Sequence, residues 1–146
     1  MNEWATDTEL FHWMMTRIWQ LGPAGFRALL WHQGESDVEM TPEEYVEKLS
    51  FIIAESKRLA GWEFPWIVAK VSYHNPDAPV HESMRVAHQR LWDLGVAMEG
   101  PDTDTLTGDN RDEGGLGIHL SPKGLGAHGR MWSDCVVRYL RQLSDK

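Results

Sequence analysis

The turn at Trp31–Asp37 holds the densest group of reactive side chains in the sequence. It carries the imidazole of His32, the amide of Gln33 and the carboxylate of Glu35 within four residues. Gly34 lies among them, and a glycine lets a ligand approach the backbone closely. A short apolar run precedes the turn and a helix-like segment follows it. Because open α/β sheets place their chemistry at such strand ends, the turn is a candidate site.

A second polar turn, Gly117–Gly124, lies far downstream and contains His119. A histidine and a carboxylate are two of the three members of an acyl-transfer triad, so His119 and Glu35 form a candidate pair. The third member is a nucleophilic serine on a tight turn between a strand and a helix. All serines of the chain lie in other contexts, and the sequence therefore predicts a triad without its nucleophile.

Each of these residues also has a structural interpretation. His32 at a strand end is more often a structural histidine than a catalyst, and Glu35 has the setting of an ordinary loop carboxylate. His119 stands just before Ser121 and Pro122, where it is a neighbour of a helix cap. The chemical interpretation therefore depends on how the two turns come together.

Metal binding is the alternative that the histidines raise. Three of them recur at seven-residue intervals: His74, His81 and His88. Without a further type of ligand beside them, this spacing favours a solvated helix face over a metal site. A metal-dependent hydrolase that uses His32, His119 and Asp104 is the least favoured interpretation, and we expect no metal.

Hydrophobic periodicity and stop signals predict the elements that position the two turns. The predicted helices span residues 6–20, 42–59, 80–94 and 122–143, and Gly124 and Gly126 predict an irregularity in the last of them. The predicted strands span residues 26–31, 65–71 and 96–98. Strands that alternate with helices indicate parallel βαβ units and a three-layer α/β domain.

Two helices carry recognisable capping signals. Thr6 is the predicted cap of the first helix, with Glu9 as its partner in a capping box and Asp7 as the alternative cap. Thr41 caps the second, with Glu44 three residues later. Both helices end at glycine-containing stop signals, Gly22-Pro23 and Gly61 in turn.

Composition places the chain among ordinary globular proteins. Its 146 residues suit one domain, and its net charge of −8 without a basic run argues against nucleic-acid and membrane partners. No apolar stretch approaches the ~20 residues of a membrane span. The chain has a single cysteine, Cys135, which excludes an internal disulfide. Its apolar surroundings in the sequence predict a buried, inert thiol. The compartment stays open, because any signal peptide would precede Met1.

Five ordered segments resemble one protein family. Arg27–Asp37 is similar to the His-Gln-Gly-Glu block of the SGNH-type carbohydrate esterases, which include sialate O-acetylesterase-like domains and acetyl xylan esterases. The other four segments are Phe64–Ala69, Gln89, Gly100–Asp104 and Gly117–Leu125. The resemblance covers nearly all of residues 26–135. It implies a three-layer α/β/α SGNH fold of flavodoxin-like type, with a parallel sheet.

The resemblance also implies catalytic roles. His119 would be the general base that takes a serine proton and later returns one to the leaving alcohol. Many SGNH enzymes orient this histidine with an aspartate three residues earlier, but Leu116 stands there. In the acetyl xylan esterase branch the glutamate of the His-Gln-Gly-Glu block has that role, so Glu35 would orient His119.

The remaining residues of the block would bind the substrate. Gln33 occupies the position of the SGNH oxyanion-hole asparagine, and its amide would donate to the developing oxyanion. Gly34 and His32 would complete this surface. The implied reaction removes acetyl groups from sugar hydroxyls through an acyl-serine, without a cofactor.

The chain departs from the family at its start. The turn that carries the nucleophilic serine and the block with a backbone oxyanion donor are both missing, so residues 1–146 resemble the C-terminal portion of an SGNH domain without its first strands. The edge near Ala28–Trp31 would then be open. We expect a homo-oligomer or a need for the missing N-terminal half. The alternative function is a non-catalytic α/β module that binds a sugar or a partner chain.

Overall fold

Four helices alternate with three strands along residues 1–144, the part of the chain that the computed structural model describes. The helices are α1 (Glu9–Leu21), α2 (Pro42–Ala60), α3 (Glu82–Asp93) and α4 (Pro122–Ser144), and the strands are β1 (Leu29–Trp31), β2 (Trp66–Lys70) and β3 (Met98–Asp102). Short 3-10 turns follow β3 and precede α4. Within residues 1–144 no helix is both long and apolar enough to span a membrane.

The strands form one parallel sheet in the order β1–β2–β3. Leu29 pairs with Trp66 in the first ladder, and Ile67 pairs with Met98 in the second. The second ladder is irregular between Val68 and Lys70. Because the three strands are parallel, the segments that follow them lie at the same edge of the sheet, where α/β proteins place their sites.

Two helical layers cover the sheet. On one face, α1, α2 and α3 enclose a core that includes Trp31, Trp66 and Val68. On the other face, Trp132 of α4 packs on Ile67 and Ala69. The structure thus confirms the expected α/β/α architecture, in the partial form of three strands and four helices.

Local signals set the ends of α2 as predicted. Thr41 and Glu44 form the capping box, and Gly61 ends the helix in the left-handed conformation at a φ of 84°. For α1 the predicted caps, Thr6 and Asp7, are wrong. Thr8 occupies the cap position, and its hydroxyl oxygen lies 2.7 Å from the carbonyl oxygens of Glu3 and Ala5 instead of capping the helix.

The third strand lies later in the chain than its sequence predicts. The amides of Val96 and Ala97 donate to the carbonyl of Leu91, which closes the end of α3, so these residues are not available for the sheet. The strand forms instead at Met98–Asp102. It tolerates Pro101 because an edge strand need not donate from every amide.

The last helix is continuous where its glycines suggested an irregularity. At Gly124 a β-carbon would lie 1.9 Å from the carbonyl oxygen of Asn110, so only glycine allows the helix start to pack on the preceding loop. Close packing, rather than a break in the helix, therefore explains why position 124 is a glycine.

Strand β1 has β2 as its one neighbouring strand among the described residues. The amide of Leu29 donates to the carbonyl of Pro65, so the alternation of a parallel strand turns the backbone of Leu30 toward the open edge. The side chain of Leu30 is 46% exposed. An apolar groove of about 390 Å³, lined by residues that include Met14 and Phe26, runs beside this edge.

We expect the chain to self-associate through this edge. An open strand beside apolar surface favours pairing with another chain, and a lysine on such an edge opposes it. Leu30→Lys should therefore shift the chain toward monomer in sedimentation velocity at micromolar concentration. Leu94→Lys, at an exposed leucine that ends α3, is the matched control. A wild-type chain that stays monomeric would contradict the prediction.

Candidate active site

The first polar turn leaves β1 at the carboxyl edge of the sheet. His32 Nε2 lies 3.0 Å from Oγ1 of Thr103, and its Nδ1 lies 3.5 Å from Oε1 of Glu35. The ring of His128, from α4, packs edge-on against the His32 ring at a centroid distance of 4.9 Å. Residues from α4 and from the segments after two strands thus meet around one imidazole.

Both imidazoles of this cluster favour the neutral form. Burial lowers the pKa of His32, against the opposing effect of the Glu35 carboxylate. Burial also lowers the pKa of His128, and the charges of His32 and Arg111 lower it further. At neutral pH each ring is therefore uncharged, with one nitrogen that donates a hydrogen bond and one that accepts.

The Gln33 side chain, the expected oxyanion donor, has protein partners in the structure. Its amide nitrogen donates to Asp37, and its amide oxygen accepts a hydrogen bond of 3.1 Å from the Tyr45 hydroxyl. The same hydroxyl lies 2.7 Å from the Gln33 carbonyl oxygen. These contacts hold the residue from two sides, and its role toward an oxyanion stays a prediction.

Gly34 is required by packing inside the protein. Its φ is 150°, and a β-carbon would lie 2.7 Å from the carbonyl oxygen of Val71 and 2.9 Å from Cε1 of His88. Internal packing is therefore a second explanation for a glycine at position 34, beside the expectation that it admits a ligand. The glycine lets the turn pack directly against Val71, the residue after β2, and against His88 of α3.

The expectation that His88 belongs to a solvated helix face is wrong. This residue is completely buried in α3, where it lies beneath the first polar turn. Its Nε2 is 3.2 Å from the Gln33 carbonyl oxygen and 3.1 Å from the Tyr45 hydroxyl, while its Nδ1 has no partner in the described residues. Burial lowers the pKa of His88 to about 4.

We predict that His88 makes folding sensitive to acid. Its folded pKa lies below the ordinary 6.5, so the unfolded chain binds the extra proton as the pH falls from about 6.5 to about 4. His88 contributes stability above that window and loses it within the window. We compare the free energy of unfolding in urea of the wild type with that of His88→Gln. Between pH 6.5 and about pH 4, the value for the wild type should fall by roughly 3 kcal/mol relative to the variant.

His74→Gln, at an exposed position of the loop after β2, is the control for this measurement. Its stability difference from wild type should change little over the same pH range. A constant difference for His88→Gln would contradict the prediction.

The second polar turn gives His119 a carboxylate neighbour. Residues Arg111 and Leu120 form an antiparallel bridge, which sets Asp112 opposite His119. The His119 amide lies 3.2 Å from one Asp112 carboxylate oxygen, and its Nδ1 lies 3.3 Å from the other. The carboxylate thus holds the ring at Nδ1, and Nε2 on the opposite side of the ring has no partner among residues 1–144.

The expected contact between Glu35 and His119 is not among the contacts of the described residues. Glu35 lies beside His32, three residues earlier in the same turn, and Asp112 lies beside His119. Each member of the expected pair therefore has a nearer partner. The catalytic roles of Glu35 and His119 stay predictions, and Asp112 joins them as a candidate acid.

Sequence reasoning missed Asp112 because it looked for an aspartate three residues before the histidine. Asp112 stands seven residues before it, and the chain folds back between them. Gly114 and Gly115, with φ values of 70° and 94°, make this reversal. A Gly-Gly pair is a known turn signal, so the sequence did indicate that the chain reverses between Asp112 and His119.

Asp104, the third ligand of the metal alternative, already has hydrogen-bond and ion-pair partners in the protein. Its carboxylate accepts from the amide and hydroxyl of Ser72, both at 2.7 Å, and from the amide of Tyr73 at 2.9 Å. Arg85 contacts the same carboxylate at 2.9 Å. Across residues 1–144 no three His, Cys, Asp or Glu side chains are grouped as metal ligands.

A family model described as "Carbohydrate esterase, sialic acid-specific acetylesterase" matches residues 1–138. The chain belongs to this carbohydrate esterase family. The match includes both polar turns and most of α4, and it confirms the resemblance to SGNH-type carbohydrate esterases. No curated protein and no solved structure matches the chain at a significant level.

Proposed function

We propose that this chain supplies the general base of a carbohydrate O-acetylesterase. The observation that carries the proposal is the pair of His119 and Asp112, inside the region that matches the carbohydrate esterase family. The His119 side chain is 80% exposed, and its Nε2 has no partner among residues 1–144. An imidazole held by a carboxylate at Nδ1 and open at Nε2 is the form a general base requires.

In the proposed reaction His119 Nε2 takes the proton of a serine hydroxyl while the oxygen attacks the acetyl carbonyl. The imidazolium, stabilised by a carboxylate, then gives this proton to the sugar oxygen as the ester bond breaks. Water attacks the acyl-serine, His119 accepts its proton and returns it to the serine, and acetate leaves. The proposal takes the serine from a segment other than residues 1–146.

The first polar turn is the proposed substrate side of the site. Gln33, Gly34 and His32 would face the acetylated sugar, with the Gln33 amide as an oxyanion donor. That role requires the amide to release Asp37 or to use its second proton. The reaction needs no cofactor.

The test joins a serine-bearing N-terminal segment from a full-length esterase of the same family to Met1 and measures acetate release from an O-acetylated sugar. We expect the fusion to be active and its His119→Ala variant to lose at least about 1,000-fold in rate, because the base is removed. His74→Ala, at an exposed histidine outside both turns, should retain the activity. Equal rates for the His119→Ala fusion and its parent would refute the proposal.

The same fusion distinguishes the two candidate acids. Asp112→Asn should lower the rate strongly, since the carboxylate beside His119 Nδ1 sets the tautomer and stabilises the imidazolium. Glu35→Gln should have the smaller effect, because Glu35 lies beside His32. The reverse order would restore Glu35 as the orienting acid. Circular dichroism of each variant controls for loss of the fold.

One observation favours the alternative, a non-catalytic module that binds a sugar or a partner chain. The polar groups of the first turn already have protein partners, namely Asp37 for Gln33 and His32 for Glu35. A turn satisfied in this way is suited to present a fixed surface. A correctly folded fusion that binds the acetylated sugar and releases no acetate would favour this alternative.

A further inference from the structure

The position of the proton on the His128 imidazole follows from one hydrogen bond within α4. Trp132 lies one helical turn later, and its Nε1 donates to His128 Nε2 at 3.1 Å. Because an indole N–H can only donate, His128 Nε2 must offer a lone pair. A neutral imidazole carries a single ring proton, which therefore lies on Nδ1 of His128.

The core holds the indole that sets this tautomer. Trp132 is buried and packs on Ile67 and Ala69 of β2. The sheet thus fixes the position of the indole, and the indole fixes which nitrogen of His128 is protonated. Burial also lowers the pKa of His128, which keeps the ring in its neutral form.

The Nδ1–H group of His128 is an available donor. It has no hydrogen-bond partner among residues 1–144 and is not one of the fully enclosed unpaired atoms, so it reaches solvent. Nδ1 of His88 shows the contrast, because it is unpaired and fully enclosed. A donor that water alone satisfies can exchange that water for an oxygen atom of a ligand.

This donor belongs to a side chain that packs on the first polar turn. The ring of His128 lies edge-on to the ring of His32, with 4.9 Å between the centroids. The two nitrogens of His32 have their own neighbours, Thr103 at 3.0 Å and Glu35 at 3.5 Å. His128 therefore adds a free donor to the side of the site where the proposed function places the substrate.

The proposed reaction needs such a donor. As a serine attacks the acetyl group, the carbonyl oxygen gains negative charge, and a donor that is already in place stabilises it. The Gln33 amide is the expected donor, but it donates to Asp37 in the structure. The His128 N–H has no protein partner to release among residues 1–144.

We propose that His128 Nδ1–H donates a hydrogen bond to the acetyl carbonyl oxygen of the substrate and to the oxyanion that forms from it. Trp132 is the positioning residue that keeps the proton on Nδ1. The inference deepens the proposed function and rests on it, since the oxyanion arises in that reaction. The proton stays on Nδ1 throughout, so His128 is a hydrogen-bond donor and not a second acid or base.

The first test determines the tautomer of His128 and needs no turnover. Proton–nitrogen correlation NMR spectra of the full chain distinguish a ring protonated at Nδ1 from one protonated at Nε2. We expect Nδ1–H in the wild type, and a shift of the proton toward Nε2 in Trp132→Phe, which lacks the indole donor. A wild-type ring protonated at Nε2 would overturn the proposal, because its free nitrogen would accept rather than donate.

A titration of the same chain tests whether the donor binds an ester carbonyl. The ring signals of His128 are followed with ethyl acetate and with diethyl ether, which is similar in size and lacks the carbonyl. Ethyl acetate should shift the Nδ1 signal, diethyl ether should leave it in place, and the shift should be smaller in Trp132→Phe. Equal shifts with both compounds, or none with ethyl acetate, would contradict the proposal.

The esterase fusion tests the role of the donor in the reaction. His128→Phe keeps an aromatic ring and removes the donor, so kcat should fall about 100-fold, with a much smaller change in KM. His74→Phe, the same substitution at an exposed histidine outside both turns, should leave kcat unchanged. A His128→Phe fusion as fast as its parent would reject His128 as an oxyanion donor.

Two amide variants separate the two nitrogens of the ring. The amide nitrogen of asparagine is as many bonds from the backbone as Nδ1 of histidine, and that of glutamine as many as Nε2. We therefore expect His128→Asn to retain more activity than His128→Gln, by roughly tenfold. The opposite order would count against Nδ1 as the donor. Circular dichroism of each variant controls for loss of the fold.

The outcome is separable from that of the proposed esterase activity. A wild-type ring protonated at Nδ1 that responds to ethyl acetate, together with an inactive fusion, would retain His128 as a carbonyl-binding donor and reject the hydrolytic function. An active fusion that is insensitive to His128→Phe would retain the function and reject this inference.

Discussion

The buried carboxylate of Asp104 is the interaction on which the functional edge of this protein depends. It lies just after β3 and accepts from the backbone and hydroxyl of Ser72, just after β2. Arg85 of α3 supplies a positive charge on the same carboxylate. A buried carboxylate is tolerated when all its lone pairs are satisfied, and here several donors meet that condition. The two strand ends and α3 are thereby joined at one point.

The position of His119 follows from this point through a short series of contacts. Asp104 fixes the amide of Tyr73, and the Tyr73 ring supports the guanidinium of Arg111. Arg111 in turn holds the carbonyl of Ile118, the residue before His119. An exposed histidine on an irregular loop is thus connected to the core by buried polar contacts. Loops that carry function are commonly positioned by a rigid scaffold in this way.

The first polar turn is positioned by different means. Tyr45 of α2 and His88 of α3 both approach the Gln33 carbonyl oxygen, and Gly34 allows the backbone to settle on His88. This arrangement places a neutral, buried imidazole beneath the turn and pins the turn to the helical layer. The two turns therefore have independent supports, and the sheet edge brings them to the same side of the molecule.

The sequence by itself determined what depends on neighbouring residues. The ends of α2, the alternation of strands and helices and the family were all readable, because capping boxes, periodicity and ordered motifs are local patterns. The tertiary structure decided the rest. Asp112 rather than Glu35 lies beside His119, His88 is buried, and β3 begins at Met98. Each of these outcomes rests on contacts between segments that only the folded chain brings together, and local propensity carries no information about such contacts.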